Sequence, residues 1–474
     1  MAIVYVDDTG GVYKAGGVKV GTVDLRGGGA ATAAQLAGLA GRCTAWIVGG
    51  PLSGPEAARL AWAEHGWPEG GATGPALDYR PGTADRGGTV VKIDGVTMRS
   101  AEPWGWNDAR TAAVAAGIWE GEVTDLKGAA LTSGPTAMGI TMARILGVFG
   151  RCQPLPTEAE RTIRATTTQG RVEFFGAPYT GQVTEIDARA AYLSMMARAP
   201  AGPTRRVEPG SVVPDLMYET GWYHVAAHPP EGWPTFSPGI LPAKIEGRTS
   251  WPTAGRVESW CTGHELALAE RYGWHPQILG GWYWPEARRS GSLDRLHRRL
   301  VAIHGLTDYA VQTPGQAAAS RMARTVAVHL IGSLFSAARH TNRVGTLDEL
   351  QASESAVNAR QLTGTRWRWT ERRNGWADTV AGRAAHWRPE IAANVWGYGR
   401  ARLLDAPTAR LGERAGALHV GEDARLIGVH TDALYVAGDV PEWLDDGRPG
   451  RYRAKHWHFG ADLSTIRDLA AIRG

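Results

Sequence analysis

Short apolar runs alternate with stretches of helical periodicity over the first third of the chain. IVYV, CTAWIV and TVVKID have the length and β-branched content of strands, and PEAARLAWAEHG and NDARTAAVAAG repeat apolar residues at helical spacing. Glycine-rich segments separate these elements, but none joins a strand to a helix as a phosphate-binding loop would. The pattern predicts an α/β domain over residues 1–165.

The pattern changes near residue 166. VEFFGAP and QVTEID predict strands, and ARAAYLSMMARA predicts a helix that Pro200 and Pro203 end. Residues 201–290 are rich in Pro, Trp and Gly, and they contain the predicted strands GWYHVAA and QILGGWYW and the predicted helix HELALAERYG. We expect this segment to be an α+β insertion.

Three longer helices are predicted in the second half of the chain. LDRLHRRLVAIHG lies at about 290–304, QAAASRMARTVAVHLIGSLFSAARH at about 315–340, and EIAANVWGYGRARLLD follows a polar segment that ends near 388. RLIGVH and ALYVAG then predict a β-hairpin joined at Thr431 and Asp432.

Composition indicates a globular protein and permits a polyanionic partner. The chain has 474 residues, of which 43% are hydrophobic, and this length favours two or three domains. The formal net charge is only +4, so the arrangement of charge matters more than its sum. Arginines cluster in the second half, and nearby tryptophans could stack on bases, the alternative being core tryptophans beside solvated arginines. The residues are Arg288, Arg289, Arg295, Arg298, Arg299, Arg321, Arg324, Arg339, Arg343, Arg366 to Arg373, Trp251, Trp282, Trp284, Trp367 and Trp369.

The cysteines and the apolar segments suggest a soluble protein of a reducing compartment. Cys43, Cys152 and Cys261 lie far apart without metal-ligand spacing, and their odd number does not suggest a disulfide framework. No leader-like start and no apolar stretch of about 18 residues is present. We therefore expect a cytoplasmic protein, of a bacterium or of a phage-infected cell, without a membrane partner.

Two aspartates are the candidate catalytic residues. Asp187 ends an apolar strand just before a helix, and Asp432 lies in the turn of the predicted hairpin. Each has a structural explanation by itself, because aspartate is a common helix N-cap and a common turn residue. Two carboxylates on adjacent strands would also suit the two hard cations, about 4 Å apart, that assist nucleotidyl transfer.

Both segments resemble motifs of family B DNA polymerases. EIDARAAYLSMMARAP resembles the first palm motif, approximately Asp-x-x-Ser-Leu-Tyr-Pro-Ser, and RLIGVHTDALYVAG resembles the hairpin motif Tyr-x-Asp-Thr-Asp-Ser. The order of the segments between them is similar to that of the protein-primed branch used by small phages with linear genomes. The resemblance covers residues 166–458 approximately. It implies an α+β polymerase domain over 166–474, with an insertion at about 201–290, fingers at about 290–340 and a second palm part at about 388–474.

The resemblance also implies roles for individual residues and partners. Asp187 and Asp432 would hold two Mg²⁺ ions, for which Mn²⁺ could substitute, and Tyr192 would lie under the sugar of the incoming dNTP and exclude a 2′-hydroxyl. GRYRAKHW resembles the element that grips the primer, which implies DNA contacts by Arg451, Tyr452 and Lys455. The partners would be primer-template DNA, dNTPs and a terminal priming protein.

Several positions depart from the family pattern. The lysine of the fingers helix is replaced by Val328, so phosphate binding would pass to Arg324, one helical turn earlier; the alternative for Arg324 is a solvated helix residue. Phe335 keeps an aromatic ring for stacking on the nascent base pair. The first aspartate of the hairpin motif is His430. In the first motif, Ala190 and Ala191 replace Ser-Leu and Leu193 replaces the proline, and the thumb is missing or reduced to DLSTIRDLAAIRG.

Residues 1–165 match the position of the family's RNase H-like proofreading exonuclease, but little of its chemistry remains. Such a site needs about four carboxylates around two metals. Asp7 and Asp8 are what is left of the first motif, and Asp94 is interpreted as structural. We expect a degenerate, inactive exonuclease scaffold.

Three functions follow from these observations. The first is a template-directed DNA polymerase that extends a primer 3′-hydroxyl or a priming protein by two-metal nucleotidyl transfer. The second is a catalytically weak or inactive relative that binds nucleic acid as a replication module, and the third is an unrelated metal-dependent nuclease.

Overall fold

The structure is a computed structural model of the chain. It describes residues 1–53, 62, 64–67, 77–80, 90–126, 128–175, 179–188, 191–196, 199–211, 220–234, 237–245, 248–305, 312–336, 343–345, 365–370, 375–380, 386–407, 414–419, 425–437 and 452–463.

Residues 2–100 build a seven-stranded mixed sheet. Its elements are β1 (Ala2–Val6), β2 (Gly11–Lys14), β3 (Val18–Thr22), α1 (Gly28–Ala40), β4 (Cys43–Ile47), β5 (Leu77–Arg80), β6 (Val90–Ile93) and β7 (Val96–Ser100). The strand order is β3-β2-β1-β4-β7-β6-β5, with β1, β4 and β7 parallel and the other neighbours antiparallel. The strands predicted from IVYV, CTAWIV and TVVKID are β1, β4 and β6. Most of the predicted helix PEAARLAWAEHG lies outside the described residues.

The central strands of this sheet are covered on both faces. All five residues of β4 are buried, as expected for a parallel strand between two layers. Side chains alternate along β1, so Val4 and Val6 pack in the core beneath α1 while Tyr5 faces the helices that follow the sheet.

Asp94 has the structural role expected from the sequence. It begins the tight turn between β6 and β7 with a φ of 46°, and Gly95 follows with a φ of 85°. Positive φ at both central residues is the geometry for which Asp-Gly is favoured in two-residue hairpins.

A set of helices forms the largest apolar core together with the inner face of this sheet. The helices of this core are α2 (Ala109–Val123), α3 (Pro135–Ile145), α5 (Ala191–Met195), α7 (Asp294–His304), α8 (Pro314–Phe335) and α9 (Pro389–Leu404), whereas α4 (Thr157–Thr166) packs on α9 and contributes Ile163 to a smaller core. A capping box between Thr313 and Gln316, with Pro314 next to Thr313, begins α8. It packs on α2, α3, α5, α7 and α9, so this helix stands at the centre of the core.

Small residues allow α8 to approach the N-terminal helices closely. A Cβ atom at Gly315 would lie 2.3 Å from Cγ1 of Val114 in α2, and one at Gly139 in α3 would lie 3.0 Å from Cβ of Leu330. Neither position accepts a Cβ atom unless the facing residue shifts. The position of α8 is therefore fixed by α2 and α3.

A separate four-stranded sheet, a small hairpin and a helix lie between Arg205 and Tyr283. The elements are β10 (Arg205–Val207), β11 (Gly221–Ala227), β12 (Ala243–Ile245), β13 (Arg248–Ser250), β14 (Val257–Thr262), α6 (Gly263–Arg271) and β15 (Gln277–Tyr283). The strand order of the sheet is β10-β15-β11-β14, and β12 pairs with β13 in the hairpin. The elements predicted from GWYHVAA, HELALAERYG and QILGGWYW are β11, α6 and β15.

The interpretation of Trp251, Trp282 and Trp284 as base-stacking residues is wrong for this structure. Their exposed fractions are 8%, 6% and 2%. The guanidinium of Arg171 lies over the Trp251 ring at 4.7 Å, and Trp260 stacks on Trp282 at 5.6 Å. These rings therefore serve packing, and the side chains of Trp367 and Trp369 lie outside the described residues.

A five-stranded antiparallel sheet joins two distant parts of the chain. Its strands are β8 (Arg171–Phe174), β9 (Tyr179–Ala188), β21 (Arg425–Thr431), β22 (Ala433–Ala437) and β23 (Tyr452–Leu463), in the order β23-β9-β22-β21-β8. Ile186, Leu434 and Val436 on one face share a core with residues of α6 and α9. The remaining strands are β16 (Arg343–Gly345), β17 (Thr365–Thr370), β18 (Gly375–Val380), β19 (Ala406–Pro407) and β20 (Arg414–Ala415).

The cysteines and the hydrophobicity of the helices complete the description of the fold. The three cysteines are free and buried. Within the described ranges, none of the helices combines the length and the apolarity that crossing a bilayer requires.

Gly139 tests the close packing of α8. Replacing it with leucine should lower the free energy of unfolding by about 1–3 kcal/mol, because the added carbons meet Leu330 and Val326. Gly121→Leu in α2 is the matched control, since a Cβ at Gly121 has open space around it and leucine favours a helix. Urea denaturation of both variants measures the difference, and equal stability of the two would contradict the packing argument.

Candidate active site

The five-stranded sheet brings Asp187 and Asp432 onto adjacent strands. Asp187 is the next-to-last residue of β9 and pairs with Ala433, the first residue of β22. The amide of Ala188 donates to the carbonyl oxygen of Asp432 at 3.1 Å. Residues separated by 245 positions in the sequence are thus neighbours at one end of the sheet.

A two-residue turn presents Asp432. His430 pairs with Ala433, so Thr431 and Asp432 form the connection, and Thr431 has a φ of 58°. A β-branched residue rarely adopts positive φ, so the surroundings must hold this backbone in place. The hydroxyl of Thr431 lies 2.9 Å from Oδ1 of Asp432 and 2.7 Å from the carbonyl oxygen of His430, and its single hydrogen can serve either acceptor.

Gly170 supports this turn by its lack of a side chain. A Cβ atom there would lie 2.7 Å from Cγ2, 3.0 Å from Cβ and 3.1 Å from Cα of Thr431. Cα and Cβ of Thr431 can move only with the backbone, so the segment before β8 and the turn must pack directly on each other. Any residue other than glycine at position 170 would displace the turn that carries Asp432.

Arg400 of α9 holds the segment that ends in Gly170. Its guanidinium donates to the carbonyl oxygens of Thr168 and Gln169, and to both carboxylate oxygens of Glu265 at 2.8 and 3.2 Å. The two charged side chains are 2% and 1% exposed. A guanidinium fork with four acceptors can offset the desolvation of a buried charge, which a single acceptor would not do.

Glu265 is fixed in turn by the start of α6. It forms a capping box with Thr262, whose amide and hydroxyl both lie 2.9 Å from Oε2 of Glu265. A Cβ atom at Gly397 of α9 would lie 2.2 Å from Cγ2 of Thr262, so α6 and α9 touch at this point. The pair Glu265–Arg400 therefore connects α6 and α9 with the turn of Asp432.

A second buried arginine borders the turn on the β8 side. Arg171 pairs with Thr431 in the β8–β21 register and donates to the carboxylate of Glu173 and the carbonyl oxygen of Gly239. Burial lowers the pKa of Arg171 to about 10, and Glu173 opposes that shift. Arg171 remains a cation at neutral pH.

Tyr192 and Phe335 both contact Trp396, and Tyr192 lies near Asp432. Burial raises the pKa of the Tyr192 phenol, and the charge of Asp432 raises it further. The indole of Trp396 donates to this phenol and opposes the shift. The ring of Phe335 meets Trp396 edge-on, with centroids 5.1 Å apart. The structure thus brings together Asp432, Tyr192 and Phe335.

Arg324 faces the same region from α8. It is exposed, and its charge lowers the pKa of Tyr192 and of His304. Burial is the larger cause for His304, whose pKa falls to about 4. Val328 lies one turn after Arg324 and is half-buried. A cation is therefore available near Tyr192, and Val328 one turn away carries no charge.

The proposed primer-contacting residues are only partly described. Tyr452 and Lys455 lie in β23, where they pair with Ala188 and Glu185 of β9. Their side chains, and Arg451 as a whole, lie outside the described residues.

Asp7 in the N-terminal sheet is occupied by hydrogen bonds. Its carboxylate accepts from the amides of Thr9 and Gly11, the hydroxyl of Thr9 and the phenol of Tyr13, at 2.7–3.0 Å. Burial acts to raise the pKa of Asp7, but these hydrogen bonds outweigh it and the pKa is lowered. Asp8 beside it is exposed.

The donor set at the aspartate pair suits a hard cation. Carboxylate oxygens are the ligands that Mg²⁺ and Mn²⁺ prefer, and Mg²⁺ keeps waters and binds substrate phosphates beside one or two carboxylates. Across the described part of the chain, no group of three or more His, Cys, Asp and Glu side chains could hold a metal ion. Asp187 and Asp432 could therefore hold metal only together with waters or a substrate.

Sequence reasoning missed the residues that hold the site. Arg400 and Trp396 lie on α9, which is buried almost all round, and an arginine within so apolar a helix was a signal of a buried ion pair. The partner Glu265, 135 positions away, and the contact of Gly170 with Thr431 leave no local trace in the sequence.

Comparison with known proteins shows distant structural similarity. No protein-family model and no curated protein matches the chain. The structure is similar to that of Phi29 DNA polymerase complexed with primer-template DNA and incoming nucleotide substrates, with 10% identity over 89% of this chain and 76% of that chain and a TM-score of 0.49. For the same polymerase complexed with single-stranded DNA, identity is 12%, coverage is 89% and 76%, and the TM-score is 0.49. For the orthorhombic crystal form of Phi29 DNA polymerase, identity is 11% over 91% of this chain and 77% of that chain, and the TM-score is 0.48.

Replacing Arg400 tests whether the ion pair Arg400–Glu265 stabilises the fold. Arg400→Met should lower the free energy of unfolding by about 3–5 kcal/mol, because Glu265 stays buried without its cation. Glu265→Gln in the same chain should recover part of this loss. A double-mutant cycle by urea denaturation should give a coupling of about 1–3 kcal/mol.

The exposed pair Arg206–Glu158 is the control for that cycle. Its atoms are 3.7 Å apart and its side chains are 64% and 65% exposed. Its coupling should stay below about 1 kcal/mol. A coupling for Arg400–Glu265 no larger than this control would show that the buried pair does not hold the site.

Proposed function

We propose that the chain is a template-directed DNA polymerase that transfers nucleotides from dNTPs to a primer 3′-hydroxyl or to a priming protein. The register that sets Asp187 beside the turn of Asp432 is the observation that carries the proposal. The nearness of Tyr192 to Asp432 and Arg324, and the packing of Phe335 on the Trp396 that bonds Tyr192, support it, because a nucleotide offers a sugar, a base and a triphosphate to such groups.

Each residue of the site has a proposed task. Asp187 and Asp432 would hold two Mg²⁺ ions, or Mn²⁺, which would activate the attacking hydroxyl and neutralise the leaving pyrophosphate. Tyr192 binds the sugar, and Phe335 lies against the nascent base pair. Arg324 binds the triphosphate, since a guanidinium can pair with two phosphate oxygens.

The N-terminal region fits the proposal of a degenerate exonuclease. Its sheet joins an antiparallel meander to parallel strands, which supports an RNase H-like domain over residues 1–165, followed by a polymerase domain over 166–474. The carboxylate of Asp7 accepts four hydrogen bonds within its own turn and from Tyr13, which leaves it poorly suited to a metal. We propose that this domain has no proofreading activity.

A catalytically weak or inactive replication module is the second candidate. Val328 at the family's lysine position and His430 in the turn motif favour it. Its binding of nucleic acid would persist while incorporation would be absent, so the same assay separates the two candidates.

Primer extension tests the aspartate pair. Wild-type protein should incorporate dNTPs in the presence of Mg²⁺, and Asp187→Asn or Asp432→Asn should reduce the rate at least about a hundredfold, because the metals contribute several kcal/mol. Asp94→Asn is the matched control, since Asn-Gly suits the same hairpin turn. Wild-type protein that binds primer-template but incorporates nothing would exclude the polymerase. Running a nucleic-acid primer beside a candidate priming protein distinguishes the two modes of priming.

Arg324 gives a second test. Arg324→Ala should raise the KM for dNTP about tenfold, because one charge-assisted hydrogen bond to phosphate is lost. Arg321→Ala, another exposed arginine of α8, should leave KM near the wild-type value. Steady-state extension at varied dNTP measures both, and an unchanged KM for Arg324→Ala would assign that arginine to the solvated surface.

A further inference from the structure

A cleft lined by arginines lies where α7 meets the ends of α2 and α3. Its volume is about 350 Å³, at the lower end of the range for ligand pockets. Its lining consists of Arg295, Arg298, Arg299, Ala302, Glu122 and Leu146. None of these residues belongs to the aspartate site.

The arginines occupy one face of α7 because of their spacing. Positions 295, 298, 299 and 302 recur at intervals of three and four residues, while Leu296, Leu300 and Ile303 on the other face are buried in the core. The buried face fixes the helix, so the direction of the arginine face is fixed as well.

Arg299 differs in its contacts from Arg295 and Arg298, the other two arginines of the cleft. Arg299 donates to the carbonyl oxygen of Glu122 and to Asp125 at 2.7 Å, which ties α7 to the end of α2. Arg295 and Arg298 are exposed, and no carboxylate within the described ranges forms an ion pair with either of them. Two guanidinium groups at the cleft thus keep their donors for a ligand.

We propose that this cleft binds the phosphodiester backbone of single-stranded DNA. Guanidinium groups pair bidentately with phosphate oxygens, and arginines one helical turn apart on one face can engage a run of backbone phosphates. Glu122 at the edge disfavours a highly charged compact anion more than a chain of singly charged phosphates. The inference rests on the proposed function for the identity of the polymer and concerns a site separate from Asp187 and Asp432.

Salt-dependent binding tests the cleft. Anisotropy of a labelled oligothymidylate with the full chain, measured in EDTA, gives Kd at several salt concentrations. Arg295→Ala/Arg298→Ala should weaken binding on the order of tenfold and reduce the slope of log K against log salt by about 1.4, which corresponds to two phosphate contacts on a single strand. Arg295→Lys/Arg298→Lys keeps both charges and should retain most of the slope.

The same anisotropy measurement on a control variant shows whether the effect is specific to the cleft. Arg26→Ala/Arg42→Ala removes two exposed arginines of the N-terminal region and should leave the slope unchanged. An equal fall in this control, an unchanged slope in the cleft variant, or an effect seen with duplex DNA alone would overturn the proposal. Because EDTA prevents incorporation, failure of polymerase activity does not alter this result, and failure of the cleft leaves the primer-extension test intact.

Discussion

Arg400 is a cation in the interior of the protein, and its desolvation must be offset by the groups around it. Glu265 and two main-chain carbonyl oxygens do so, and these acceptors belong to α6 and to the segment before β8. That segment ends at Gly170, on which the turn of Asp432 rests. The location of Asp432 therefore depends on α9 and on the ion pair Arg400–Glu265, which are distant from it in the sequence. Removing the arginine would release three elements together.

Close helix packing also gives the N-terminal region a structural role in the site. Gly139 of α3 and Gly315 of α8 permit helix contacts that a Cβ atom would disturb, so α3 and α2 set the position of α8. Arg324 and Phe335 lie on that helix, toward Tyr192 and Trp396. The N-terminal helices are therefore required to place these side chains.

The sequence predicted the elements that depend on local periodicity, such as β9, the hairpin of Thr431 and Asp432, and the long helix α8. It also predicted that Asp187 and Asp432 lie on adjacent strands, because a strand followed by a helix and a two-residue hairpin each have a recognisable sequence pattern. The sequence did not predict features that depend on tertiary contacts. Trp282 is buried and stacks on Trp260, and Arg400 pairs with Glu265, which lies 135 positions away. Neither contact has a period or a motif, since each depends on how separate layers pack.

Charge is distributed in a way that the net value of +4 conceals. Arg400 and Arg171 are buried with carboxylates and serve the framework. Arg324 lies toward the face of α7 that carries His304, as its effect on the pKa of that residue indicates, whereas Arg295 and Arg298 lie on the opposite, exposed face of α7. The helices α7 and α8 thus carry Arg324 on one side of α7 and Arg295 and Arg298 on the other. Because the buried leucines of α7 fix this helix, the distance between Arg324 and the other two arginines is constant, as two contacts to one polyanion would require.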